Sequence, residues 1–165
     1  METLWAPWRI EYIKEAPKGG CFLCDILRAG GDDRVNLVLK RGAVCAVVMN
    51  RYPYNNGHLM VIPYQHTAEL DALPVDTLAE MLRLSTLATL ALKRAMCPDG
   101  FNLGMNIGRT AGAGIAEHLH MHVVPRWNGD TNFMPVIGNT RVLPESLERT
   151  WEKLHAAFAA VLAGE

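Results

Sequence analysis

The stretch that most constrains this chain is Ala116-Glu117-His118-Leu119-His120-Met121-His122-Val123-Val124-Pro125. Histidine and apolar residues alternate along it, and a β-strand turns successive side chains to opposite faces. Read as a strand, it sends His118, His120 and His122 to one side and Leu119, Met121 and Val123 to the other. One face then carries chemistry and the other enters a core. Alternate strand residues lie about 6.6–6.8 Å apart, so the outer histidines stand roughly 13 Å apart at Cα, whereas zinc ligands bring their nitrogens to ~2.1 Å from the ion. Three imidazoles in such a row do not readily share one ion. They suit anion handling, because a neutral imidazole attacks phosphorus or an acyl carbon while its neighbours fix its tautomer and supply protons.

Composition narrows the class. A chain of 165 residues, 50% hydrophobic and 20% charged, reads as one soluble globular domain able to bury a sizeable core. Its formal net charge of -1 offers no general field to draw in nucleic acid, so no stable nucleic-acid complex is expected and anion affinity must come from a local site. Residues 1–9 lack the charged start and apolar run of a signal peptide. The longest apolar stretch, Leu78 to Met96, is interrupted by Arg83, Ser85, Thr86, Thr89, Lys93 and Arg94. No membrane span is expected, and a cytoplasmic location follows. Of the four cysteines, Cys21 and Cys24 are spaced as a metal half-site or a redox pair, with plain packing as the third reading. Cys45 and Cys97 lie among apolar residues and read as inert.

Taken in order, residues 1–20 form an irregular arm with Trp5, Trp8 and Tyr12, and Asp25 to Ala29 a helical turn closed by Gly30-Gly31. Strands are expected over Asn36–Lys40 and Ala43–Met49, joined as a hairpin at Arg41-Gly42, and over His58–Pro63, where His58, Met60 and Ile62 share a face. The loop between them, Asn50 to Gly57, is dense in turn formers. Apolar residues Leu78, Met81, Leu82, Ala88, Leu92 and Ala95 recur at helical spacing and mark a long helix over Asp76–Met96, stopped by Pro98-Asp99-Gly100. Further strands follow over Phe101–Ile107 and His118–Val124, around a glycine-rich loop, and a last helix over Glu145–Leu162. Helices segregated from consecutive strands make the fold class α+β, with a largely antiparallel sheet of about five strands.

The run His118-Leu119-His120-Met121-His122-Val123-Val124 resembles the signature of the histidine triad (HIT) family of nucleotide hydrolases and transferases. Gly57-His58-Leu59-Met60-Val61-Ile62-Pro63 matches the family's glycine-histidine strand. Asn50-Arg51-Tyr52-Pro53, Pro125-Arg126 and Gly129-Asp130 look most like the fragile histidine triad branch and bacterial diadenosine tetraphosphate phosphorylases. The match spans roughly residues 35–135, which divides the chain into an N-terminal arm, 1–34, and a HIT-like region, 35–165, within one globular unit.

The resemblance implies nucleotidyl transfer through a covalent nucleotidyl-histidine, with a dinucleoside polyphosphate such as diadenosine tri- or tetraphosphate, or a related conjugate, as substrate. His120 matches the nucleophile, and His122 and His58 match the groups that orient it and contact phosphate. Asn50 matches a ribose-binding position, where a turn-capping asparagine is the alternative. Asn106 matches a polar position beside the phosphates, and a polar strand residue is its alternative. The loop with Arg109, Gly112 and Gly114 offers backbone amides and a cation to a polyphosphate, although it lacks the lysine and the following helix of a P-loop. Where the similar phosphorylases tend to carry a serine just before the triad, this chain has Gly114, which favours water over inorganic phosphate as acceptor. Family members and the related galactose-1-phosphate uridylyltransferases hold a structural zinc at positions that match Cys21, Cys24, His66 and His118. On that match His118 is a ligand; on the motif alone it belongs with the catalytic row. The resemblance further implies a divalent cation carried by the nucleotide, and a homodimer through 76–96 and 101–107. A phosphorylase, a nucleotide-binding sensor with incidental turnover and a purely structural metal-binding domain are the rival readings. His155 reads as a surface or core residue.

Overall fold

In the computed structural model, residues 20–28, 32–131 and 144–164 are described. Residues 1–19 of the expected aromatic arm, Ala29 with Gly30-Gly31, and residues 132–143 lie outside the described residues. The elements are α1 (Phe22–Arg28), β1 (Val38–Arg41), β2 (Cys45–Met49), β3 (Leu59–Pro63), α2 (Val75–Met96), β4 (Gly100–Met105), β5 (Met121–Arg126) and α3 (Leu147–Ala163). All strand pairs are antiparallel, in the order β1-β2-β3-β5-β4. The α+β expectation is met.

The period of two sorts the sheet's residues into two cores. Cys45, Val47, Met49, Leu59, Val61, Leu119, Met121 and Val123 pack against Met81, Leu84, Ala88 and Leu92 of α2 and Leu154 and Phe158 of α3. Val38, Ala46, Val48, Met60 and Ile62 pack on the other face against Leu23, Ile26 and Leu27 of α1. This second layer is why every residue of β2 and β3 is buried. The histidine face of β5 lies on the α1 side, so the helix that follows Cys21 is brought toward the triad.

Several boundaries differ from the sequence reading. The triad strand begins in the ladder at Met121, not His118, because the backbone before it pairs elsewhere: the Leu119 N–H goes to the Thr67 carbonyl at 2.8 Å. The helical turn expected over 25–29 starts at Phe22 and includes Cys24. Leu82, assigned to the buried stripe of the long helix, is 60% exposed, while Leu84 and Ala91 are buried. Cys97 is not among apolar residues; it is the exposed C-cap of α2, with φ 48°, and its N–H bonds the Lys93 carbonyl.

A buried carboxylate joins the β1–β2 hairpin to α2. Glu80 accepts the Ala43 N–H at 2.9 Å and the Val44 N–H at 2.6 Å and pairs with Arg83. Burial alone would raise its pKa, yet the amides of Val44 and Ala43 and the Arg83 guanidinium outweigh that and hold it below the ordinary value. Gly42 leaves room for it, since a Cβ there would stand 2.6 Å from Glu80 Oε1.

Candidate active site and metal centre

Four ligand-type side chains meet beside β3. Cys21 Sγ, Cys24 Sγ, His66 and His118 bring their ligand atoms within 4.8 Å of one another. His118 Nδ1 lies 3.3 Å from Cys21 Sγ, 3.5 Å from Cys24 Sγ and 3.3 Å from His66 Nδ1, and Cys24 Sγ lies 3.3 Å from His66 Nδ1. A tetrahedral ion with bonds of about 2.0–2.3 Å separates its ligand atoms by roughly 3.3–3.8 Å, so these spacings fit zinc. The donor chemistry fits as well. His118 Nε2 lies 2.9 Å from the Pro63 carbonyl, which can only accept, so the ring proton sits on Nε2 and Nδ1 turns a lone pair into the cluster. Burial raises the Cys21 thiol and lowers His118, the direction a cation would reverse for the thiol. The cluster distinguishes the readings of Cys21 and Cys24: they face two imidazoles across 42 to 97 residues of sequence.

The remaining histidines form a relay whose tautomers are fixed by backbone groups. His120 Nδ1 lies 2.8 Å from the His118 carbonyl and must donate to it, which leaves the lone pair on Nε2. Burial lowers the His120 pKa, against a smaller opposite effect of that carbonyl, which favours the neutral ring. His58 Nδ1 accepts the Tyr54 N–H at 3.1 Å, so in the neutral ring Nε2 carries the proton and donates it to His122 Nδ1 at 2.9 Å. His122 in turn keeps its proton on Nε2, a buried atom. The His120 and His122 rings meet edge to face at 4.7 Å, and Tyr54 lies over His58 at 4.6 Å. Side by side stand a nucleophilic lone pair and an N–H donor.

The other expected residues fall around this relay. Asn50 accepts the Tyr52 N–H through Oδ1 at 2.9 Å and reaches His58 Nδ1 through Nδ2 at 3.2 Å, so its amide builds the loop. Gly104 pairs with His122 and Met105 with Met121, which carries half-buried Asn106 toward the histidine face one residue beyond β4. Arg109 opens an exposed 3-10 turn, Arg109–Ala111, capped by Gly112, and Gly114 is exposed after it. His155 stacks on Trp151, away from the relay. Sequence reasoning gave no role to Tyr54 or Asn55, whose contributions come from a backbone N–H and a tertiary amide contact. The available signal was the position of both in the loop ahead of His58.

The HIT domain family model matches residues 34–129, more than half of the chain. The chain belongs to the HIT domain family. Over 168 aligned residues this HIT protein is 39% identical to an AP-4-A phosphorylase of Mycobacterium tuberculosis, covering 96% of its own length and 85% of that protein. It superimposes on a Zn-bound histidine triad family protein from Mycobacterium smegmatis with a TM-score of 0.72 and 26% identity, over 88% of this chain and 98% of that one. A hypothetical histidine triad nucleotide-binding protein from Sulfolobus tokodaii gives 0.69 at 28% identity, over 86% and 93%.

Proposed function

We propose that this HIT-family enzyme cleaves dinucleoside polyphosphates through a nucleotidyl-histidine on His120. The observation that carries the reading is the His120 Nδ1 bond to the His118 carbonyl, which leaves Nε2 as a neutral nucleophile beside the His122 Nε2–H donor. In the first step the His120 Nε2 lone pair forms a bond to the α-phosphorus and the bond from that phosphorus to its bridging oxygen breaks. The departing nucleoside polyphosphate takes the electron pair, and His122 Nε2–H donates to the leaving oxygen. In the second step an acceptor oxygen attacks the same phosphorus and the P–N bond breaks, restoring His120. Asn106, Arg109 and the amides near Gly112 and Gly114 would hold phosphate oxygens, and Asn50 would meet the ribose through its loop.

Similarity to the AP-4-A phosphorylase supports inorganic phosphate as the acceptor. Water is the second reading, favoured by Gly114 at the position where the serine of similar phosphorylases is expected. The four-ligand cluster would hold a structural zinc that ties α1 to β3 and to the segment leading into β5. The long helix and the exposed edge of β4, with Leu103 at 48% exposure, support a homodimer through that edge. Soluble, cytoplasmic action on the nucleotide, with any divalent cation carried by the substrate, completes the reading.

The test is intact-protein mass spectrometry after brief mixing with diadenosine tetraphosphate, followed by product analysis with and without inorganic phosphate. An acid-labile adenylyl adduct is expected, released as ADP when phosphate is present. Release as AMP at an unchanged rate under both conditions would make water the acceptor. No adduct, with substrate intact over hours, would overturn the dinucleotide reading.

A further inference from the structure

The motif Gly129-Asp130 and the residue Asn55 stand outside the chemistry so far, yet they meet at the loop that feeds the relay. Asn55 Nδ2 donates to Asp130 Oδ2 at 2.8 Å and to the Pro125 carbonyl at 3.1 Å, tying the loop to the strand that carries His122. Asp130 is itself held: Oδ2 accepts from Arg126 Nε at 2.5 Å and from the Trp127 N–H at 3.2 Å, and Oδ1 from Arg126 Nη2 at 2.9 Å. Its pKa is driven far below the carboxylate range, chiefly by Arg126, so it is an acceptor at every working pH. The loop's far side is secured separately. Gly57, at φ +76°, sits so close to α2 that a Cβ would come within 2.7 Å of Met96 Sδ, and Asn56 accepts the Thr150 hydroxyl at 3.1 Å. Directly ahead of these anchors lies Tyr54, bonded in sequence to Asn55, with its N–H pointing at His58 Nδ1.

That N–H and the Nδ2 amide of Asn50, which belongs to the same loop, decide a proton's place. While they are there, a proton on His58 Nδ1 would face donors at 3.1 Å and 3.2 Å, so only the Nε2–H tautomer fits. Move the loop, and the ring can take the other tautomer, turning His58 Nε2 into an acceptor and reversing the bond to His122. His122 would then hold its proton on Nδ1 and present a lone pair where the proposed reaction needs a donor. We propose that Asn55, clamped by Asp130, is a positioning residue that sets the tautomer of the His58–His122 pair and thereby makes His122 a hydrogen-bond donor. The consequence for rate rests on the function proposed above; the tautomer itself does not.

The experiment compares the parent with Asn55→Ala, Asp130→Ala and Asp130→Asn. Two readouts are used: 15N NMR of the imidazoles, which separates the tautomers, and single-turnover adduct formation from diadenosine tetraphosphate. The parent is expected to show His58 as a single Nε2–H tautomer. Asn55→Ala and Asp130→Ala are expected to mix the tautomers and slow adduct formation by about ten- to a hundredfold with KM changed by less than about threefold, the size of a misplaced proton donor. Asp130→Asn keeps an acceptor for Asn55 and is expected to retain the parental spectrum. A folded Asn55→Ala or Asp130→Ala protein with a pure Nε2–H tautomer and a parental rate would overturn the proposal. Mixed tautomers in the alanine variants of a protein that forms no adduct would instead leave the positioning role standing and overturn the function. The two alanine changes act from opposite sides of the clamp, so failure of one to fold leaves the other as the test.

Discussion

The four-ligand cluster and the histidine relay are built from the same kind of side chain, and His118 stands in both. In the cluster, its ring turns an unprotonated nitrogen toward two thiols and a second imidazole, four donors converging on one point. In the relay, each imidazole meets a group that assigns its proton: the Tyr54 and Asn50 amides for His58, His58 for His122, and the His118 carbonyl for His120. Convergent lone pairs need a cation between them, whereas a chain of donors and acceptors needs none and leaves a reactive nitrogen at its end. The difference shows that a histidine's role is set by what holds its second nitrogen. It also shows how neighbours two residues apart keep separate tasks: His118 gives its ring to the four-ligand cluster and its backbone to the relay.

The largest effect expected from separating the regions is at the relay's end. His120→Ala is expected to lower nucleotidyl transfer by at least about 10⁴-fold, the scale of removing a nucleophile, with no adduct by mass spectrometry and metal content unchanged. Metal loss in this variant would mean that the regions are one structural unit. Next comes Cys24→Ser, or removal of zinc by a chelator. Losing a buried ligand is expected to release the metal and lower Tm by roughly 10 °C, taking ~3 kcal/mol of stabilisation and about 2–4 °C per kcal/mol for this size. Well below that Tm, adduct formation is expected to stay within about tenfold of the parent, because His120 depends on the His118 carbonyl and not on its ring. A collapse of the rate in folded protein would break the separation. The smallest effect is a control remote from both. Glu80→Gln is expected to lower Tm at pH 7 by about 3–6 °C, from ~1.5 kcal/mol of charge-assisted bonding to the hairpin amides, and to leave metal and adduct unchanged. The Glu80 pKa is lower folded than unfolded, so the unfolded chain binds more protons. Its stabilisation is present above the ordinary glutamate pKa and fades as pH falls through the folded value. The gap between parent and variant is therefore expected to close in thermal melts between pH 7 and pH 3.

Much of the fold was legible because it follows from periodicity. Alternation in 118–124 put Leu119, Met121 and Val123 in the core and the histidines opposite, as observed. The motif resemblance also singled out Cys21, Cys24, His66 and His118 as one set, and the structure brings them together. What could not be read depends on partners distant in sequence. Glu80 looks like a surface residue of an amphipathic helix, and only the hairpin at 42–45 explains its burial. Leu82 sits at a helical spacing that suits a core, but α2 meets the sheet through Leu84 and Ala88 and leaves it outside. Tyr54 contributes a main-chain N–H, which no residue type announces. The start of β5 at Met121 has the same origin, since His118 and Leu119 spend their backbone groups on a ring and on Thr67.

The span of the metal cluster has a consequence for how the chain is made. Cys24 and His118 are separated by 94 residues. At about 5–20 residues per second, a ribosome completes the two thiols roughly 5–20 s before it adds the last imidazole. During that interval the cysteines exist without the pocket that would hold an ion, open to oxidants and to stray metals. Any ion would thus be loaded by the nearly finished sheet, and the thiols' safe passage falls to the reducing power of the compartment in which the protein is synthesised.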